Sequence, residues 1–125
     1  FSLDKIKDKF STKDGVTISE ARKGHILRGD ATGGGHQFGT GKPCKSEFPK
    51  EWNSDEIIDN IELIASNDNL PWKKQTNGYY VTEEMVDGVK IRVVLNRNQD
   101  EVITAYPTNI KRNPCPAAAN DNNRD

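Results

Sequence analysis

The chain has two histidines, His25 and His36, and they flank one glycine-rich stretch. They occur as Gly24-His25-Ile26-Leu27-Arg28-Gly29-Asp30 and as Gly33-Gly34-Gly35-His36. Imidazole both gives and takes a proton near neutral pH, so two of them held together can serve as general base and general acid in one phosphoryl transfer. Consecutive glycines allow backbone conformations closed to other residues and close approach to a ligand. The amides of Gly33, Gly34 and Gly35 can form a nest for an anion. Each part alone has a plainer reading: a loop histidine is usually a surface residue, and three glycines are usually flexible chain. The combination carries more than either part.

Cations surround this stretch. Arg22, Lys23 and Arg28 precede it and Lys42, Lys45 and Lys50 follow it, against Glu20, Asp30 and Glu47. Residues 53–70 then carry Asp55, Glu56, Asp59, Glu62 and Asp68 with no cation. The net charge of −1 excludes a uniformly basic nucleic-acid binder, but a basic patch beside an acidic helix remains open and suits a phosphate-bearing substrate. Thr104-Ala105-Tyr106 is a further resource. On a strand, residues i and i+2 share a face, so a hydroxyl lies next to a ring that can stack on a base. The plainer reading is a half-buried strand of ordinary β-formers. His25, Asp30 and His36 also offer an N, O, N donor set to a metal. No HExxH, cysteine pair or carboxylate cluster accompanies them, which favours acid–base chemistry.

The elements that must position these residues are legible in the pattern. Chemistry-rich residues 28–49 hold six of the ten glycines and no periodicity, the signature of a functional loop. Leu3, Ile6 and Phe10 predict a short amphipathic helix over residues 1–14, ended by Gly15. Ser19 is an N-cap for a second helix, Glu20 to Leu27. Asn53, with Glu56 three residues on, starts a third, whose stripe is Ile57, Ile58, Ile61, Ile64 and Ala65. Ser66 to Asn69 and Pro71 stop it. Strands are expected at Tyr79–Thr82, Val89–Leu95 and Val102–Tyr106, with Asp87-Gly88 as a hairpin turn and Pro107 as a stop. Helices followed by an antiparallel meander give an α+β fold.

At 125 residues, with 33% apolar and 30% charged residues, the chain holds one domain with a small core. No apolar run is long enough to span a membrane, and no signal-peptide pattern opens the chain. Phe1 stands where an initiator Met would, which reads as the cut edge of a longer chain. The expected division is a helical segment at 1–18, a catalytic domain at 19–112 and a flexible tail at 113–125. Cys44 and Cys115 fit neither a metal knuckle nor a redox pair. A bond clipping the tail to the domain and two free thiols are both compatible with their positions.

Gly24-His25-Ile26-Leu27, Gly33-Gly34-Gly35-His36, Lys45-Ser46-Glu47-Phe48-Pro49 with Trp52, and Thr104-Ala105-Tyr106-Pro107 together resemble the bacterial EndoU nuclease family. The resemblance runs in the family's order over roughly residues 19–108. It implies a fold related to the barnase, EndoU, colicin and RelE-type RNases. It also implies a catalytic centre of two histidines and a lysine, carried over to His25, His36 and Lys45, with Lys42 or Lys90 as alternatives for the lysine. Thr104 and Tyr106 become the nucleotide-holding element, and Gly34, Gly35 and Arg28 further substrate contacts. The implied reaction is attack of a ribose 2′-hydroxyl on the neighbouring phosphate, leaving a 2′,3′-cyclic phosphate, with no cofactor or metal. The implied setting is the C-terminal toxin end of a secreted or cell-surface effector of contact-dependent growth inhibition. Such a toxin cuts RNA, with tRNA as the expected substrate, in the cytoplasm of the target bacterium. It would pair as a monomer with a dedicated immunity protein.

Overall fold

The computed structural model describes residues 16–115. The helix expected over 1–14 lies outside the described residues, as does most of the expected tail. Two helices precede a four-stranded antiparallel sheet, which gives the α+β architecture. They are α1 (Glu20–Leu27) and α2 (Ser54–Ala65), and the strands are β1 (Lys73–Lys74), β2 (Tyr80–Val86), β3 (Val89–Leu95) and β4 (Val102–Pro107). The sheet is a meander in the order β1-β2-β3-β4, every pair antiparallel. No helix among the described residues is long and apolar enough to cross a membrane.

Both helices start where a side chain satisfies an orphan amide. Ser19 Oγ accepts from the Arg22 amide at 3.1 Å, and Asn53 Oδ1 accepts from Glu56 at 2.8 Å. The stripe of α2 is buried as its spacing demands: Ile57, Ile58, Ile61, Ile64 and Ala65. These side chains meet Ile26 and Leu27 of α1, Phe48 and Trp52 of the long loop, and the inner sheet face of Val89, Ile91, Val93, Leu95 and Ala105. Period-two alternation thus sends Lys90 and Arg92 to the other face.

Three strand expectations need correcting. β2 runs on to Val86, although Glu83 and Glu84 are weak β-formers; pairing with β3 overrides propensity. Lys73–Lys74 adds a short edge strand, joined through Asn77 and Gly78, the latter at φ +90°. Pro107 is the last residue of β4, not a stop beyond it. Since β4 is the sheet's edge, the missing amide costs no ladder bond on the open side. The Asp87-Gly88 turn is as expected for a two-residue hairpin, with φ +49° and +82°.

Both ends of the described chain are tied to the domain. Thr17 bridges Glu101 beside β4, and Ile18 enters the core. Cys44 and Cys115 are joined in a disulfide. The Asn113 amide donates to the Lys45 carbonyl at 2.8 Å.

Candidate active site

The glycine stretch folds back along the C-terminal end of α1. A helix end leaves its last carbonyls without partners, and here the returning chain supplies them. The amides of Gly35, His36 and Gln37 donate to the carbonyls of His25, Ile26 and Leu27 at 2.9, 2.7 and 3.2 Å. This path brings the backbone so close that a Cβ on Gly34 would collide with the His25 carbonyl oxygen, at a φ of +82°. The glycines are therefore required by packing against the helix. That corrects the expected anion nest for Gly35, whose amide is spent on His25.

The same return lays the backbone of His36 beside Ile26, the neighbour of His25. Gly34 lies against the His25 ring, and His36 follows two residues later. His25 is 4% exposed and His36 fully buried. Each turns Nδ1 to a fixed acceptor: His25 to Asp30 Oδ1 at 3.1 Å, His36 to the Ser46 carbonyl at 2.6 Å. An Nδ1–H donated in this way sets the tautomer and leaves Nε2 as the ring's other nitrogen.

Asp30 is itself organised. It accepts from the Thr32 hydroxyl at 2.6 Å and the Thr32 amide at 2.9 Å. Those bonds, then the one from His25, hold its carboxyl well below the usual carboxylate range, so it is ionised wherever the histidine works. Sequence reasoning had placed Asp30 only as a metal donor; its role as the partner of His25 needed the loop conformation. Among the described residues no group of three His, Cys, Asp or Glu is arranged to hold a metal ion.

Ser46 is the second residue that sequence reasoning missed. Its carbonyl holds His36, and its hydroxyl donates to the Pro107 carbonyl at 2.7 Å. It thereby fastens the loop to the end of β4, where Tyr106 stacks on His36 with ring centroids 5.4 Å apart. Thr104, two residues earlier, shares that face. It is 4% exposed, and its Oγ1 has no hydrogen-bond partner among the described residues.

Lys45, next to Ser46, is 7% exposed. Lys42 is exposed and lies over Gly35. Lys90 is exposed on β3, with Nζ 3.7 Å from Glu83. Arg28 is the C-cap of α1. Its guanidinium lies against Gly24 and lines the cleft between α1 and α2 beside Asp55 and Asp59. The expected patch from residues 20–50 is thus divided. A pocket of about 600 Å³ instead has Lys90, Arg92, Lys111 and Arg112 as its cations among the described residues. This pocket opens beside Tyr106 and Ser46, and neither histidine lines it.

The loop between the histidines and α2 is gathered around Glu47. Its carboxylate accepts from the Gly39 and Gly41 amides at 3.0 and 2.9 Å, the Thr40 hydroxyl at 3.3 Å and the Asn113 side chain at 3.0 Å. Burial pushes this carboxyl up, but the bonds from Asn113, Gly39, Gly41 and Thr40 outweigh it and hold it below its usual value.

The family model of the bacterial EndoU nuclease matches residues 39–109, more than half of the chain. The matched span contains Lys45, Thr104 and Tyr106 and begins just after His36. No curated protein and no solved structure matches the chain.

Proposed function

The chain belongs to the bacterial EndoU nuclease family, and from that premise we propose that it is a metal-independent endoribonuclease. The observation that carries the proposal is the pair of histidines, each with Nδ1 tied to a fixed acceptor, an arrangement that supports Nε2 as the nitrogen that transfers protons. Two such imidazoles supply the acid and the base that attack by a ribose 2′-hydroxyl needs. The nucleophile belongs to the substrate, so the protein has only to move protons and stabilise charge.

The two acceptors differ, and the difference supports distinct roles. Asp30 is an ionised carboxylate at His25 Nδ1, a counter-charge for the imidazolium that would protonate the leaving 5′ oxygen. The acceptor that holds His36 Nδ1 is the neutral Ser46 carbonyl, and we assign His36 the removal of the 2′-hydroxyl proton. As the 2′ oxygen bonds to phosphorus, the bond to the 5′ oxygen breaks, and a 2′,3′-cyclic phosphate remains. Lys45, beside the residue that holds His36, is the cation we assign to the pentacoordinate transition state. Tyr106 offers its ring to the nucleotide, and the buried Thr104 hydroxyl is suited to hydrogen-bond it. The family assignment supports a toxin nuclease acting on RNA, and we extend the reading to an RNase-type fold, a competing bacterium as the setting, tRNA as target and an immunity protein as partner.

The test is cleavage of RNA by the purified protein in EDTA, with analysis of the new 3′ ends. Cyclic phosphate ends, lost in His25→Ala and His36→Ala, are the expected result. A requirement for divalent ions, or cleavage of DNA, would mean a metal-dependent nuclease. Binding of RNA without cleavage would reduce the chain to an RNA-binding or delivery module.

A further inference from the structure

We infer that the pocket beside Tyr106 is a second subsite, which holds the RNA strand next to the phosphate that is cut. This rests on the nuclease reading above and extends it to Lys90, Arg92, Lys111 and Arg112. The pocket shares two residues with the histidine site. Tyr106 presents its ring to His36 and also lines the pocket, and Ser46 holds His36 while forming another part of the wall. A strand whose reacting phosphate lies at His36 therefore has this cavity as its neighbour across a single aromatic ring.

The chemistry of the wall fits a nucleotide. Among the described residues of the wall, Lys90, Arg92, Lys111 and Arg112 supply four cations against one carboxylate, Glu83. Glu83 is already engaged: Arg92 Nε and Nη2 both lie 2.9 Å from its Oε2, and Lys90 approaches its Oε1. That pairing holds the Arg92 guanidinium, and the β3–β4 register sets Arg92 opposite Tyr106, while Lys111 adds an exposed cation to the wall. Its volume, about 600 Å³, lies within the range of small-ligand sites, roughly 300–1,000 Å³. Lysines on such a wall hold phosphates as point charges without reading bases, so the subsite adds affinity for strand length and little sequence preference.

The two exposed lysines make the test. The Lys90→Ala/Lys111→Ala double variant and the unaltered protein are titrated with a 2′-O-methyl octanucleotide, which cannot react, at several salt concentrations. Losing two phosphate contacts should flatten the slope of log affinity against log salt by about 1.4 and weaken binding on the order of tenfold or more at low salt. Cleavage kinetics run beside it. In the unaltered protein KM should fall when a dinucleotide is lengthened to an octanucleotide, and in the variant that gain should shrink. Equal affinity and equal slope in the two proteins overturn the subsite, whether or not RNA is cut. A slope difference in a protein that cuts no RNA overturns the nuclease reading and leaves the subsite standing.

Discussion

The imidazole of His36 lies on the ring of Tyr106, with centroids 5.4 Å and planes 24° apart. The stack joins the long loop to the last strand and gives the substrate side of the site an aromatic wall. Tyr106→Ala should lower kcat/KM about ten- to a hundredfold, the scale of one lost base–aromatic stack, 1–3 kcal/mol. Tyr106→Phe keeps the ring and should retain most of the activity. Steady-state kinetics on one oligonucleotide compares them.

Asp30 is a positioning residue for His25, and its removal has a signature beyond lost activity. Asp30→Asn should reduce kcat about ten- to a hundredfold, as changes to an imidazole's partner do elsewhere. The imidazolium also loses its counter-charge, so an acid role for His25 predicts that the alkaline limb of the pH–rate profile moves to lower pH. A purely structural loss would scale the profile without moving that limb.

Gly34 passes against the His25 carbonyl where no side chain fits. Gly34→Ala should destabilise the fold by about 2–4 kcal/mol, from the forced φ and the displaced backbone together. Gly39 and Gly41 also have positive φ, but a Cβ there meets nothing within 4 Å. Alanine at either should cost only about 1–2 kcal/mol, the conformational penalty alone. Denaturant unfolding of the three variants separates the two causes.

Glu47 ties the loop through bonds that need its charge. Its carboxyl is held below the usual 4.5, so its contribution is fully present above that pH and is lost as pH falls through the lower folded value. Glu47→Gln should cost about 1 kcal/mol near neutral pH, a modest figure for a partly exposed group. The gap between variant and parent should close in strong acid. Thermal unfolding across pH reads this directly.

The bond from Cys44 to Cys115 spans 71 residues. Cutting a loop that long should remove about 4 kcal/mol by chain entropy, less if the reduced chain stays compact. Unfolding of Cys115→Ser against the parent, each with and without reductant, measures it. Reductant should affect only the parent.

Much of the scaffold follows from the sequence alone because it depends on local repetition. The caps at Ser19 and Asn53, the stripe of α2 and the Asp87-Gly88 turn are set by neighbours within a few residues, and the structure bears them out. The types of the site residues, two histidines around three glycines and a Thr-Ala-Tyr strand, are equally visible. What they do to one another is decided only by the folded chain. Residues 28–49 have no period from which a path can be read, and their course is set by the unpaired carbonyls at the end of α1. That course spends the Gly35 amide on a helix, gives Asp30 to His25 and lays His36 on Tyr106, seventy residues distant. The charge pattern shows the same division. Counting along the chain placed the cations on residues 20–50, whereas sheet register gathers Lys90 and Arg92 beside Tyr106 and the following segment adds Lys111 and Arg112. Local spacing can specify an element, but only long-range pairing can decide which side chains share a surface.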